Sequence, residues 1–260
     1  LLGSLLQVLK FNLDRRAERV RLFELGRVFR KDPSVLDSDT TVAGFDQPMR
    51  VAGLCYGPVD TLQWGSPERV VDFFDAKGDV QALLAPRQPT FRAAEHPAMH
   101  PGRSASVWLG EQCIGHVGEL HPKWRQAYDL SQAPVMFELD LNAVLERPVP
   151  VFQAVGRHQA VERDLAIVVK ETVTHAAVVE AIRAPASPWL RDVVLFDVYR
   201  PKKQASAETS ATSLVADEKS LAVRLVLNRD DATLTEEDID VAVKAVLDSL
   251  AHSVDARLRG

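Results

Sequence analysis

Several groups of residues in this chain have the types and spacings that chemistry requires. Asp197-Val198-Tyr199-Arg200 is followed by Lys202 and Lys203, and then by Lys219-Ser220 and Arg224. An aromatic ring with a carboxylate two residues away and several cations is a set that holds an unstacked base of single-stranded RNA. The ring stacks, the carboxylate accepts hydrogen bonds from a base edge, and the cations meet phosphates. His96 and His100 stand four apart, the spacing at which a helix presents two zinc ligands, but Pro97 and Pro101 break any helix there, so His96 to Ser104 reads as a shaped loop. Asp72, Asp75 and Asp79 suggest a metal at first sight; at that spacing on a helix they read as a solvated acidic stripe. Arg30 and Asp32 close a strand-like run, and Arg30 reads as a strand-end arginine in solvent or in a surface ion pair. No catalytic set and no metal set is assigned.

The elements that must position these residues can be read from pattern. With 260 residues, 46% hydrophobic and 26% charged, the chain suits two domains, and a formal charge of -5 with no basic half confines any nucleic-acid contact to a local patch. Two cysteines, Cys55 and Cys113, describe neither a disulfide framework nor a zinc site and imply a reducing, cytoplasmic setting. No run approaches membrane-spanning length and no signal peptide is read, so no membrane partner is expected. A chain that opens on Leu1 is expected to be part of something longer.

Leu2, Leu5, Leu6, Leu9 and Leu13 fall at helical spacing, with Ser4 as the expected cap. Arg21 to Asp32 is apolar on both parities and predicts an interior strand covered on both sides, with Met49 to Tyr56 returning beside it until Gly57-Pro58. Asp72 caps a helix running to Leu84, in which Gly78 suggests close packing against another backbone. A hairpin of Ser104 to Leu109 and Cys113 to Leu120, a short helix opened by Pro122 and a strand over Pro134 to Leu141 complete an antiparallel sheet with flanking helices. Arg147-Pro148-Val149-Pro150 is the expected linker, dividing the chain into 1-148 and 149-260. The second part reads as Asp164 to Val169 strand, Thr174-capped helix, Leu190 to Tyr199 strand, Lys219 to Asn228 strand, Thr235-capped helix and Asp255 to Arg259 strand, which is the ferredoxin-like order βαββαβ. Fold class is therefore α+β in both parts. Alternation along the second strand of this part puts Asp197 and Tyr199 on one face, with Val194, Phe196 and Val198 expected on the other, toward the helices.

Seven segments in register carry a resemblance. Leu5-Leu6 with Arg21 to Arg30, Val71 to Val80, His100 to Ala105, Gly118 to Pro122, Arg163 to Val169, Phe196 to Tyr199 and Lys219 to Ala222 come in the order found in the C-terminal part of the bacterial phenylalanine-tRNA ligase beta subunit, and the chain resembles that family over nearly its whole length. The resemblance implies a class II synthetase-like, non-catalytic module followed by a ferredoxin-like anticodon-binding domain. It implies tRNA(Phe) and a catalytic alpha subunit as partners, an (alpha-beta)2 heterotetramer, and ATP and magnesium used by the full ligase with no cofactor in this part. The family's editing domains and magnesium carboxylates lie upstream and are not carried over. Its anticodon domain uses an aspartate, a tyrosine two residues later and the serine of Lys-Ser-Leu-Ala around the first anticodon base, a guanine, which carries over to Asp197, Tyr199 and Ser220; Arg200, Lys202, Lys203, Lys219 and Arg224 complete the expected tRNA site. Arg200 to Glu218 departs from the family as a long loop without glycine and reads as mobile. The family also leads us to expect the alpha subunit on part of the surface of the N-terminal helix and the Asp72 to Leu84 helix, with Leu6→Asp and Leu9→Asp weakening assembly.

Two other functions compete. An active class II enzyme needs a Gly-rich strand and an arginine-bearing helix to complete an ATP site, and Phe137 to Leu141 runs into Asn142-Ala143-Val144-Leu145-Glu146 with neither residue. A ferredoxin-like small-molecule regulatory module would favour glycine where the first strand of the second part meets its helix, and Lys170-Glu171-Thr172-Val173 offers none. The chain by itself is therefore expected to give no phenylalanine-dependent exchange of pyrophosphate into ATP, and measurable exchange by the purified protein would overturn the non-catalytic reading.

Overall fold

A computed structural model describes residues 1–152, 158–200 and 217–259. The chain forms two compact units, Leu1–Pro150 and Val151–Gly260. In the first, α1 (Leu2–Leu13) leads to β1 (Val20–Arg27), a small ribbon of β2 (Arg30–Lys31) and β3 (Phe45–Asp46), β4 (Met49–Tyr56), α2 (Phe73–Leu84), β5 (Thr90–Ala93), β6 (Met99–Leu109), β7 (Gln112–Leu120), α3 (Pro122–Ala127), β8 (Val135–Asp140) and α4 (Leu141–Leu145). Six of these strands make one antiparallel sheet in the order β1-β4-β8-β7-β6-β5.

The interior strand is β4, not β1. Alternation on β4 sends Val51 and Cys55 into a core with Ala76, Val80 and Leu84 of α2, and sends Ala52, Leu54 and Tyr56 into a second core with Leu5, Leu6 and Leu9 of α1. Between Val51 and Cys55, Gly53 leaves room for the Phe137 ring of its cross-strand partner; a Cβ there would stand 2.4 Å from that ring. Gly57 ends the strand with φ +82°, hard against the Glu18 carbonyl. β1 lies at the sheet edge, and only its α1 side is covered, so Phe23, Leu25 and the following Phe29 are exposed. Apolar residues on both parities show that a strand could be covered twice; whether an element exists to do so is a long-range property.

Local expectations meet two further corrections. Ser4 sits inside α1, its hydroxyl donating to the Leu1 carbonyl at 2.7 Å, and the helix has no side-chain cap. Gly78 is exposed, with nothing within 4 Å of where a Cβ would be, so it marks no close approach. The Asp72 cap is present as a full capping box: its carboxylate accepts from the Phe74 and Asp75 amides, and Asp75 accepts from the Asp72 amide and from both Nη groups of Arg69. Asp79 accepts from the Cys55 thiol at 3.5 Å, and burial pushes that thiol up to about 11.

In the second unit β9 (Val161–Lys170), α5 (His175–Arg183), β10 (Leu190–Tyr199), β11 (Glu218–Leu227), α6 (Glu236–Val254) and β12 (Arg257–Leu258) follow in the order βαββαβ. The sheet order β12-β9-β11-β10, antiparallel throughout, is the ferredoxin-like arrangement. Thr174 caps α5 through the Ala177 amide, and Thr235 with Asp238 makes a capping box on α6. Leu165, Ile167, Val169, Leu221, Val223 and Leu225 face Val178, Ile182, Val246 and Leu250 of the two helices.

Leu6 and Leu9 belong to the core under α1, so charged substitutions there would disrupt the sheet's own cover rather than report on a partner. Leu9→Ala, at a position with no exposed surface, is expected to destabilise the first unit by about 2–5 kcal/mol, read as a lower denaturation midpoint.

Candidate nucleic-acid interface

Both helices of the second unit pack on one face of its sheet, and the residues on the other face follow from register. Val193 pairs with Leu225 and Leu195 with Val223, all core-facing; the next pair is Asp197 with Ala222, then Val198 with Leu221 and Tyr199 with Ser220. Phe196 is therefore an extra residue, a bulge, and the parity of β10 changes across it. Val193, Leu195 and Val198 stand on the helix side of the register, while Val194, Asp197 and Tyr199 stand on the open side. Phe196, expected among the helix-facing residues, instead leaves the core: it is 53% exposed and lies 5.5 Å from the Arg224 guanidinium. The alternation argument fails there because strict period two holds only while each residue has one partner.

On the open face Tyr199, 46% exposed, neighbours Ser220 across the ladder, and Ser220, only 4% exposed, sits between Tyr199 and Val168. One row along, Asp197 faces Ala222 and Ala166, two small side chains that keep this part of the face low. One Asp197 carboxylate oxygen accepts the Val198 amide at 2.9 Å.

The cations are less available than their sequence suggests. Lys219 lies on the core parity, 8% exposed, its ammonium donating to the Glu171 carbonyl at 2.8 Å. Arg200 forks onto the Glu171 carboxylate at 2.9–3.2 Å, which holds that carboxyl below its usual range. This pair is exposed, so Arg200 can exchange one oxyanion for another. Arg224 donates to both oxygens of Asp164, at 2.7 and 2.9 Å, and to Glu162 at 2.8 Å; its hydrogen bonds hold the Asp164 carboxyl below its usual range, and Asp164 raises the guanidinium in turn. Lys202 and Lys203 lie outside the described residues, as does most of the long loop that contains them.

Sequence reading missed Arg259, whose guanidinium stands 5.0 Å from the Tyr199 ring centroid, with its amide bonded to the Ala166 carbonyl. The signal was present: Arg257 and Arg259 alternate along the last strand and share a face, with Arg257 paired to Glu218.

The first unit holds Arg30 and Asp32, the charged residues at the end of the Arg21 to Asp32 run. Arg30 is exposed on β2 and borders a cavity of about 280 Å³ with Arg50, His96, His116 and Glu138. Asp32 turns away into a local turn, accepting from the Ser34 amide and hydroxyl. His96 and His100 each accept a backbone amide two residues on at Nδ1, but the stretch read as a loop is only partly one: β6 begins at Met99, so His100 to Ser104 belong to the strand, which is irregular between Met99 and Ser104. Burial lowers His96 and His116, whose rings stand 4.9 Å apart. Among the described residues no three His, Cys, Asp or Glu side chains are grouped to hold a metal, and no helix is long and apolar enough to cross a membrane.

Residues 1–141 match the family described as the phenylalanyl tRNA synthetase beta chain CLM domain, and residues 156–259 match the ferredoxin-fold anticodon binding domain. The chain belongs to the phenylalanyl-tRNA synthetase beta chain family. It is 46% identical over 265 residues to the phenylalanine-tRNA ligase beta subunit of Cupriavidus pinatubonensis and 47% identical over 264 residues to that of Ralstonia nicotianae, covering all of this chain and 32% of each relative. The beta subunit of Nitrosospira multiformis is 38% identical over 259 residues, which are 30% of its length. The chain thus spans about a third of the curated relatives it matches. Among solved structures, a pyrrolysyl-tRNA synthetase from Desulfitobacterium hafniense aligns with a TM-score of 0.38 at 14% identity, over 56% of this chain and 46% of that one.

The bulge makes a direct test of parity in this family member. Leu195→Ala is expected to destabilise the second unit by about 2 kcal/mol, whereas Phe196→Ala should change its stability by no more than about 0.5 kcal/mol; equal losses in denaturant titrations would put Phe196 back in the core.

Proposed function

We propose that this chain is the tRNA-binding and scaffolding part of a phenylalanine-tRNA ligase beta subunit, and that the open face of its second unit holds the anticodon of tRNA(Phe). The observation that carries the reading is the juxtaposition of an exposed Tyr199 ring, the Asp197 carboxylate and Ser220 on the one sheet face that no helix covers among the described residues. It lies in a region that matches a family described as anticodon binding. A base laid on Tyr199 is stacked on one side, and its edge lies over the low floor of Ala166 and Ala222 within reach of Asp197. Guanine presents N–H donors on its Watson–Crick edge, and an ionised carboxylate can only accept, which makes Asp197 the residue that discriminates. Arg200, Arg259, Lys202 and Lys203 supply cations for the phosphates. Lys219, buried on the helix side, serves instead to hold the Glu171 backbone at the foot of the loop.

The first unit is proposed as a non-catalytic scaffold that pairs with the alpha subunit in an (alpha-beta)2 assembly. ATP and magnesium are proposed to belong to the whole ligase; Asp32, the acidic residue nearest Arg30 in sequence, is engaged by the Ser34 amide and hydroxyl. Its exposed apolar side chains, Phe23, Leu25 and Phe29 beside β1 and Phe74 on α2, are the surfaces open to such a partner.

In the assembled ligase Tyr199→Ala is expected to weaken tRNA binding by about 1–3 kcal/mol. Asp197→Ala should leave binding of the wild-type tRNA less affected and chiefly relax the preference for guanine at the first anticodon base. Parent-like binding and charging of both normal and base-substituted tRNA by the two variants would place the anticodon elsewhere.

A further inference from the structure

The Tyr199–Arg259 arrangement has a counterpart on the same face. Phe196 and Arg224 form a second aromatic–arginine pair, at 5.5 Å against 5.0 Å, and both rings are about half exposed. We propose that Phe196 and Arg224 form a second nucleotide subsite, which takes the base of another unstacked nucleotide of the same single-stranded RNA segment. This rests on the reading of Tyr199 as the first.

Three features make the pair a base platform rather than surface decoration. The bulge removes Phe196 from a core that Val193 and Leu195 already serve, so the ring's exposure follows from a specific backbone irregularity. Arg224 is held by two bonds to Asp164 and one to Glu162, which fixes its guanidinium in place 5.5 Å from the ring centroid. Those two carboxylates also neutralise it and repel phosphate, so a subsite here takes the base and leaves the backbone to Arg200 and Arg259. Val194, opposite Arg224 in the ladder and exposed on the open side, extends the apolar floor.

Spacing sets the conformation of the RNA. From Phe196 to Tyr199 is three residues, about 10 Å along a strand, whereas stacked neighbours in a helix rise by about 3.4 Å. Bases on the two rings are therefore splayed apart, each stacked on protein instead of on the other.

The test uses the complete ligase, with its alpha subunit and full-length beta subunit, and tRNA(Phe) transcripts that each lack one base of the anticodon loop. Phe196→Leu, which keeps apolar bulk but loses the ring, is expected to bind the intact transcript about fivefold to 150-fold more weakly, with Phe196→Trp close to the parent and an unchanged melting temperature for both. The Phe196→Leu loss should vanish on one base-deleted transcript, at a position different from the one where the Tyr199→Ala loss vanishes. Parent-like binding by Phe196→Leu, a loss that persists on every transcript, or coupling to the same position as Tyr199 would each overturn the second subsite. Failure of the underlying reading shows separately, as parent-like binding by Tyr199→Ala.

Discussion

The register of β11 between β9 and β10 is the constraint on which the second unit depends. Its leucines must face α5 and α6, because a slip of one residue would turn Leu221, Val223 and Leu225 to solvent and bury Arg224 without room for its partners. β9 obeys the same alternation against β11 without interruption from Val161 to Lys170. β10, at the edge, has freedom the centre lacks, and its register shifts twice against β11, between Leu190 and Asp192 and again at Phe196. One extra residue at the sheet edge places two aromatic rings and a carboxylate on the same uncovered face without disturbing the core behind it.

Electrostatics on this face work by partition. A chain with a formal charge of -5 cannot draw RNA by its overall field. Its arginines are distributed among carboxylates of different commitment: Arg224 has two acidic partners, Arg200 shares an exposed Glu171, and Arg259 stands over a ring. The first is a fixed structural element, and the second can trade its partner for phosphate. Association driven by so few exchangeable cations should depend less steeply on salt than that of a basic RNA-binding domain.

Much of this was legible in the sequence wherever the cause is local. Asp72, Thr174 and Thr235 announce their helices because a cap side chain bonds amides two or three residues away. The alternation of Leu221 to Leu227 fixes both the strand and its buried side. What stayed hidden depends on residues distant in sequence. Nothing within Arg21 to Asp32 says that no element covers its second face, nothing in Leu195-Phe196-Asp197 contains the glycine that would advertise a bulge, and the commitments of Lys219 and Arg224 are to β9 and the turn that follows it. Asp197 and Tyr199 share the open face even though the alternation that predicts it breaks one residue earlier, since the bulge shifts the parity of the upstream half only.

The uncovered side of β1 has a practical consequence for handling this polypeptide. Eight residues of edge strand, unpaired along their outer backbone among the described residues, carry Phe23 and Leu25 beside Val51 and the Phe137 ring on Gly53. Backbone donors and acceptors in a row with aromatic side chains above them form a template for strand addition, and the edge carries neither proline nor a bulge to discourage it. Purified away from whatever covers this edge, the polypeptide should show concentration-dependent self-association that mild detergent relieves and raised ionic strength worsens, since the modest net negative charge is then the main force keeping copies apart.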